Sequence, residues 1–216
     1  MPPRYKTDVK FIHVEVLPEE IDAGRKATIG LNGHAKAVMA QIVAEVKAQS
    51  LKLDKSSSWL KGVFEKKDQS VKIFTELMED RTAPMNYYCA LSIVNKYIPK
   101  DAIIVNEGSD TMDIGRTVLL NYEPKSRLDA GTWGTMGVGM GQAIAAALVK
   151  PNPGCVFVAG DSAFGFSAME FEVVTRYQLP VVVVIINNNG IGAFNPDEYF
   201  GKLKHCALWC LLNDFL

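Results

Sequence analysis

The stretch of residues 155–192 constrains the fold more than any other part of the chain. It contains two short apolar runs, 156–159 and 181–186, and the second is rich in β-branched residues. Such runs are typical of strands that are buried on both faces of a sheet. Between them, Ser167-Ala168-Met169-Glu170 has the form of a capping box, which predicts a helix from Ser167 to about Tyr177. The order strand, helix, strand predicts a βαβ unit with parallel strands.

Polar residues follow both predicted strands. Asp161 comes after the first strand, and Asn187, Asn188 and Asn189 come after the second. Because the carboxyl ends of parallel strands meet at one edge, where open α/β sheets bind ligands, we expect these side chains to share a crevice. A carboxylate, an amide and backbone carbonyls form an all-oxygen ligand set that suits Mg²⁺.

A diphosphate held through Mg²⁺ fits this edge. Gly160 and Gly165 allow backbone to approach a phosphate closely, and the predicted helix start at Ser167 favours negative charge. The alternative is that Asp161 caps a turn and the asparagines form an ordinary loop. Spacing alone leaves both interpretations open.

The same residues resemble a known signature. Gly160-Asp161-Ser162, with Asn188 27 residues after the aspartate and Gly190 beyond it, resembles the GDG…NN pattern of thiamine-diphosphate enzymes. The strings GDSAFGFSAMEFE, RYQLP and NNNGI resemble the branch of 2-hydroxyacyl-CoA lyases and oxalyl-CoA decarboxylases, in which serine replaces the last glycine of GDG. The resemblance implies that Asp161, Asn188 and the backbone carbonyl of Gly190 bind Mg²⁺. It also implies that thiamine diphosphate is bound by Gly160, Asp161, Ser162, Ala163, Asn188 and Gly190.

A second loop is predicted at the same edge of the sheet. Strand 102–106 is followed by Glu107-Gly108 and then by Ser109, Asp110 and Thr111, which the resemblance places on the cofactor. Family members tend to have Ala-Asn in place of Ser109-Asp110. A carboxylate beside a diphosphate is unfavourable unless a cation or Arg116 offsets it. We interpret Glu107 as a structural or cofactor-lining residue and not as the catalytic acid.

A glycine-rich string precedes an alanine-rich helix that we expect to end near Val149. Gly137-Val138-Gly139-Met140-Gly141 suggests a dinucleotide loop, but its third glycine falls one place early and no clean strand precedes it. We expect the glycines to allow close helix packing instead. The segment resembles the family pattern GTWGxMGxGxG, which implies that Gly134, Thr135 and Met136 line the pyrimidine and thiazolium end, with Met136 under the bent cofactor.

The chain divides into four predicted parts. Residues 1–50 contain strands at 9–16 and 27–31 and a helix at 34–48, whose apolar positions we expect in a core, and they resemble the end of a central α/β domain. Residues 51–82 form a charged, partly helical connecting segment. Residues 83–192 form an incomplete parallel-sheet thiamine-diphosphate- and Mg²⁺-binding domain of the α/β class. Residues 193–216 form a divergent tail, for which we predict no neighbouring element in this chain.

Composition excludes several classes of protein. The formal net charge is −1 and the basic residues are dispersed, which argues against a nucleic-acid-binding surface. The sequence has no run of about 20 apolar residues, which argues against a membrane span. Residues 1–10 show no secretory signal. The four cysteines lack the spacing of a disulfide framework and fit a reducing compartment. His205, Cys206 and Cys210 make only a weak metal half-site.

The resemblance implies a thiamine-diphosphate- and Mg²⁺-dependent lyase. Such an enzyme cleaves a 2-hydroxyacyl-CoA between C1 and C2, giving formyl-CoA and an aldehyde one carbon shorter, in fatty acid α-oxidation. The family forms homo-oligomers with sites between subunits. Its activating glutamate lies on an N-terminal domain, so we expect no catalytic residue among these 216 and no activity of the shortened chain alone. The resemblance implies a peroxisomal location, although the sequence lacks the Ser-Lys-Leu-type ending of peroxisomal import. The cytoplasm is the alternative location.

Three other functions stay open on the sequence. Oxalyl-CoA decarboxylase differs from the lyase in the acyl group of its substrate. A non-catalytic cofactor-binding or subunit-interaction fragment belongs to another functional class. A nicotinamide-binding domain would be distinguished by titration with NAD.

Overall fold

A computed structural model of the chain describes residues 5, 6, 8–188, 190 and 191, together with the backbone of residues 207–211. The chain separates into two compact units, Met1–Phe64 and Glu65–Leu216, and the division falls within one long helix. In the part of the chain that the structure describes, no helix has both the length and the apolar character needed to cross a bilayer.

The first unit contains a small parallel sheet and one complete helix. Strand β1 (Ile12–Glu15) pairs with β2 (Ile29–Asn32), and helix α1 (Ala35–Ala48) follows. Only Val38 of α1 is buried, whereas Met39, Val43 and Val46 are between 39% and 48% exposed. The expectation that the apolar positions of this helix lie in a core is therefore wrong within this unit, because a sheet of two short strands covers little of the helix.

The second unit is built on a five-stranded sheet with strand order β4-β3-β5-β6-β7. Strands β3 to β6 are parallel to their neighbours, as predicted, and β7 is antiparallel to β6. The strands are β3 (Ile103–Glu107), β4 (Arg127–Asp129), β5 (Cys155–Gly160), β6 (Val181–Asn187) and β7 (Ala207–Leu211). The remaining helices are α2 (Ser58–Glu79), α3 (Tyr87–Asn95), α4 (Ser109–Val118), α5 (Gly139–Val149), α6 (Asp161–Gly165) and α7 (Phe171–Arg176).

Both faces of this sheet are covered, which explains why its strands read as continuous apolar runs. On β5, Cys155, Phe157 and Ala159 point into a cluster with residues of α5 and α7. Val156 and Val158 point into a second cluster, on the other face, with residues of α3 and α4. The central strand therefore carries buried side chains at every position from Cys155 to Ala159. The predicted parallel α/β fold is confirmed.

The predicted helical segment from Ser167 to about Tyr177 is present, but it begins with a 3₁₀ turn and its capping-box contact is not formed. Asp161 itself begins a short helix, α6, and Ser167 precedes a 3₁₀ turn (Ala168–Glu170) that leads into α7. In this turn the backbone carbonyl of Ser167 accepts the Glu170 N–H at 3.0 Å. In a capping box the Glu170 N–H would bind the Ser167 hydroxyl. Here it binds the Ser167 carbonyl instead, so the capping contact is not formed.

The prediction that the tail has no neighbouring element is also wrong for its described backbone. Strand β7 pairs with β6 from Ala207 opposite Asn187 to Leu211 opposite Val183. It covers the edge of β6 that would otherwise present unpaired backbone groups. The rest of residues 193–216 lies outside the described part of the chain.

Candidate functional site

Three strands end at the same edge of the sheet, and this positions the site. Glu107 of β3 lies opposite Ala159 of β5, and Gly160 of β5 lies opposite Ile186 of β6. Because the three strands are parallel, the loops after them leave the sheet side by side. The chain enters α4 after β3, enters α6 after β5, and reaches Asn188 directly after β6.

The loop after β3 turns at Gly108, next to the loop after β5. Gly108 has a φ of +100°, a conformation that side chains disfavour. A Cβ at Gly108 would lie 3.4 Å from the Gly160 nitrogen and 3.5 Å from the Ala163 Cβ. The glycine is therefore required for the turn from β3 into α4 by its positive φ, whereas a Cβ there would make only ordinary contacts.

A cavity of about 240 Å³ lies at this edge. It is lined by all the predicted cofactor-binding residues except Thr135, namely Ser109, Asp110, Thr111, Gly134, Met136, Gly160, Asp161, Ser162, Ala163, Asn188 and Gly190. The sequence reasoning missed Tyr87, Gly108, Met112, Ala130 and Ile191, which also line it. Gly108 carried a usable signal, because a glycine after a buried strand marks a tight turn. The geometry brings the residues together; their binding of a cofactor is argued below.

The oxygen groups that suit a metal ion come from the loops after β5 and β6. Asp161 is the first residue of α6, and Asn188 follows the last residue of β6. The Asn188 Oδ1 accepts the backbone N–H of Gly190 at 3.2 Å, which holds a tight turn within the β6 loop. Asp161, Asn188 and Gly190 thus line a single cavity, and together they offer a carboxylate, an amide and a backbone carbonyl.

Charge in the cavity is negative. Its charged lining residues in the described part of the chain are Asp110 and Asp161, and no lysine, arginine or histidine is among them. Arg116 does not offset Asp110 but binds Asp129 at 3.0 Å and Asp113 at 3.3 Å. A phosphate entering this cavity therefore needs a cation to accompany it.

Helix α4 supplies donors at the same place. It begins at Ser109, and no side chain caps its start at Gly108. The first backbone N–H groups of a helix have no partner within the helix and bind anionic oxygens well. The donor set of the cavity, with carboxylate, amide, carbonyl and helix N–H groups, fits a Mg²⁺ ion that carries a diphosphate.

No group of three His, Cys, Asp or Glu side chains that could hold a metal occurs among the described residues. The half-site His205, Cys206 and Cys210 lies outside the residues whose side chains are described.

A buried glutamate lies behind the cavity. Glu107 has no exposed surface, and its Oε2 accepts the Gly139 N–H at 2.8 Å, while its Oε1 accepts the Gly137 N–H. A Cβ at Gly139 would lie 2.3 Å from Glu107 Oε2 and 2.5 Å from Phe157 Cε2. Two amides of the glycine-rich string thus bind a carboxylate of the chain itself, which speaks against a dinucleotide loop, and the expected close packing is confirmed at Gly139 but not at Gly141.

Comparisons with known proteins identify the type of domain. Residues 108–203 match the family model described as thiamine pyrophosphate enzyme, C-terminal TPP binding domain. Over 94% of its length the chain is 45% identical to 2-hydroxyacyl-CoA lyase 1 from Homo sapiens and 46% identical to 2-hydroxyacyl-CoA lyase from Oryza sativa subsp. japonica, covering 36% of each protein. Over 87% of its length it is 39% identical to oxalyl-CoA decarboxylase from Escherichia coli K12, covering 33% of that protein.

A solved structure shares the fold. It is described as a thiamin diphosphate-dependent enzyme from Mycobacterium smegmatis, with a TM-score of 0.59 and 18% identity over 90% of this chain and 37% of that chain. The present chain spans about a third of the length of the curated relatives it matches. The chain therefore contains a match to the C-terminal TPP-binding domain of thiamine pyrophosphate enzymes, and it is similar to the 2-hydroxyacyl-CoA lyases and to oxalyl-CoA decarboxylase.

Proposed function

We propose that this chain binds thiamine diphosphate through Mg²⁺ and forms the cofactor-binding part of a carbon–carbon lyase that acts on 2-hydroxyacyl-CoA. The observation that carries the proposal is the shared cavity, because one space receives Asp161 from the β5 loop and Asn188 and Gly190 from the β6 loop. The names of the similar proteins support the substrate class.

In this proposal the metal is bound by three groups of the chain. These are the carboxylate of Asp161, the side-chain oxygen of Asn188 and the backbone carbonyl of Gly190. The remaining positions are filled by diphosphate oxygens and water, as Mg²⁺ prefers. Since no cationic side chain lines the described cavity, Mg²⁺ is the group that neutralises the diphosphate.

Other residues would bind the two ends of the cofactor. The start of α4 at Ser109 and Thr111 offers backbone N–H donors and hydroxyls to the diphosphate. Gly134, Thr135 and Met136 would contact the ring end, with Met136 packed under the bent molecule. Of these three, Gly134 and Met136 line the cavity.

Bound thiamine diphosphate supplies the carbanion chemistry that cleaves the bond between C1 and C2 of the substrate. The chain's own contribution is to bind the diphosphate, to orient the rings and to place them at the edge of the sheet. Formyl-CoA and an aldehyde one carbon shorter would be the products. We also propose that the protein forms homo-oligomers with sites between subunits. We propose a peroxisomal location, with the cytoplasm as the alternative.

A second candidate is oxalyl-CoA decarboxylase, which the 39% identity to the Escherichia coli protein favours. The two activities use the same cofactor and differ in the acyl group attached to CoA. To distinguish them, the chain is combined with the remaining part of a related full-length enzyme. Turnover of 2-hydroxyacyl-CoA and of oxalyl-CoA is then measured. Formyl-CoA appears with both substrates, so the aldehyde or carbon dioxide has to be measured.

The proposal is tested by calorimetric titration of the chain with thiamine diphosphate, with Mg²⁺ and with a chelator. We expect binding that requires Mg²⁺ and that Asp161→Ala weakens at least about tenfold, because one charged ligand of the metal is lost. Asp113→Ala is the matched control, since Asp113 is an exposed aspartate on α4 that pairs with Arg116 outside the cavity lining. Binding of equal strength in the chelator, or an unchanged affinity of Asp161→Ala, would contradict the proposal.

A further inference from the structure

Glu107 is a carboxylate that the proposed chemistry does not use. It is the last residue of β3 and is completely buried, and it is absent from the residues that line the described cavity. Both of its oxygens accept backbone N–H groups, from Gly137 and from Gly139. Since a carboxylate is costly to bury unless it is hydrogen-bonded, the two contacts indicate a defined role for this side chain.

The two N–H groups belong to one turn. Gly139 is the first residue of α5, so the Glu107 carboxylate lies at the start of an 11-residue helix, where negative charge is favoured. Hydrogen bonds to a charged acceptor are stronger than those between neutral groups. The turn from Gly137 to Gly139 is therefore held to the end of β3 by two charge-assisted contacts.

Packing leaves this turn little freedom. Gly139 is held against Phe157 on β5, where a Cβ would lie 2.5 Å from Phe157 Cε2. Gly137 has a φ of +90°, and a Cβ there would lie 3.3 Å from the Phe166 Cβ. The position of the turn is thus set by the Glu107 carboxylate and by its contact with the core of the sheet.

The turn directly follows residues of the cavity. Met136, one residue before Gly137, and Gly134, three residues before it, both line the cavity. A displacement of the Gly137 backbone would move Met136 with it, because the two are joined by one peptide bond. Glu107 therefore controls the cavity wall without contacting its contents.

We propose that Glu107 is a positioning residue that sets the place of Met136 against the ring end of the bound cofactor, acting through the Gly137–Gly139 turn. The inference rests on the proposed binding of thiamine diphosphate in this cavity. It separates two parts of the site, because the Glu107 turn supports the ring end whereas Asp161 and Asn188 bind the metal and the diphosphate.

Two ligands separate these parts in a binding experiment on the chain. Thiamine diphosphate with Mg²⁺ reports on both parts, and inorganic pyrophosphate with Mg²⁺ reports on the metal and diphosphate part alone. In Glu107→Gln an amide NH₂ replaces one acceptor and faces a backbone N–H, so one contact is lost. We expect the variant to bind thiamine diphosphate about tenfold more weakly and pyrophosphate within about twofold of the wild type.

Met136→Ala should show the same selective loss. The double variant Glu107→Gln, Met136→Ala should lose less than the product of the two single losses, because both changes act on the same contact. Glu123→Gln is the matched control, since Glu123 is exposed and should leave the affinities for both ligands unchanged. Amide hydrogen exchange of Gly137 and Gly139 should become faster in Glu107→Gln alone.

If circular dichroism shows that Glu107→Gln does not fold, Glu107→Asp is tested instead. It keeps the charge with a shorter reach, and we expect a selective loss of thiamine diphosphate affinity in the same direction. Equal weakening of both ligands, or unchanged binding of both, would overturn the positioning role. Failure of the wild-type chain to bind either ligand in Mg²⁺ would instead contradict the proposed function, so the two failures are distinguishable.

Discussion

At the scale of single residues, the site depends on how two carboxylates are placed. Asp110 and Asp161 both line the cavity, each at the first or second position of a helix. Asp161 has Asn188 and Gly190 in the same cavity as fellow metal ligands in our proposal. Asp110 has no such role in our proposal, and Arg116, the expected counter-charge, binds Asp113 and Asp129 instead. We infer that Asp110 weakens the binding of a diphosphate.

Asp110→Asn should therefore raise the affinity for thiamine diphosphate in Mg²⁺. Removing a like charge near the diphosphate is worth about 1 kcal/mol in a solvated site, which is about fivefold in affinity. Calorimetric titration at two salt concentrations measures the change, and the gain should shrink at high salt. A lower affinity of the variant would show that Asp110 itself helps to hold the metal.

A second prediction at this scale concerns the contact between Glu107, Gly139 and Phe157. Gly139→Ala should lower the free energy of unfolding by about 1–3 kcal/mol, because the new Cβ overpacks the core. Gly141→Ala is the control on the same helix, since a Cβ there meets no atom within 4 Å. It should leave stability unchanged or raise it by up to about 1 kcal/mol. Equal effects of the two substitutions in chemical denaturation would refute the packing argument.

Sequence reasoning placed Asp161 and the asparagine run at one edge of the sheet because each follows a recognisable strand, and the family resemblance singled out Asn188 and Gly190. It left the role of Glu107 undecided, and its partners could not be found. Glu107 binds amides 30 and 32 residues away, and no local pattern encodes a contact over that distance. Residues at strand ends are thus predictable, whereas contacts between loops depend on the assembled sheet.

At the scale of elements, the strands of the βαβ unit were predicted, whereas the short helix α6 was missed. The apolar runs of β5 and β6 are unambiguous because both faces of the sheet are buried. Helix α6 was missed because it is only five residues long and the chain enters it directly after Gly160, whereas the helical segment after Ser167 was predicted. The pairing of β7 with β6 was missed because it joins residues distant in sequence, and an apolar run alone does not indicate its partner.

The central strand makes a pH-dependent contribution to stability. Burial raises the pKa of the Cys155 thiol at the start of β5 from 9.0 to about 12. Between these values the unfolded chain loses a proton that the folded chain retains. The contribution is therefore fully present below pH 9.0 and falls as the pH rises toward about 12, by at most about 1.4 kcal/mol per pH unit.

Cys155→Ala should remove this part of the pH dependence. The difference in unfolding free energy between wild type and variant should be constant from pH 7 to about 9 and should decrease above it. Urea denaturation at a series of pH values provides the measurement. A difference that stays constant up to pH 11 would mean that the thiol is not buried as described.

At the scale of the whole molecule, the described lining of the cavity contains three titratable side chains, and our proposal assigns none of them to acid–base catalysis. The titratable residues among the described lining of the cavity are Tyr87, Asp110 and Asp161. The chain matches about a third of the length of its curated relatives. Sequence resemblance pointed to thiamine-diphosphate enzymes, and the match to their C-terminal TPP-binding domain agrees with it.

We predict that the purified 216-residue polypeptide alone does not turn over 2-hydroxyacyl-CoA. None of the three titratable lining residues is assigned to proton transfer in our proposal. Formyl-CoA release, followed by chromatography in saturating thiamine diphosphate and Mg²⁺, provides the assay. Sustained turnover by the purified polypeptide would require a catalytic group within this chain and would contradict the prediction.

The most direct test of the central claim is a crystal structure of the chain with thiamine diphosphate and Mg²⁺. The distances to measure run from the metal to the Asp161 carboxylate and to the Asn188 side-chain oxygen. Our account predicts that both are about 2.1 Å and that the same ion contacts the diphosphate. A diphosphate bound elsewhere, or an ion that neither side chain touches, would contradict it.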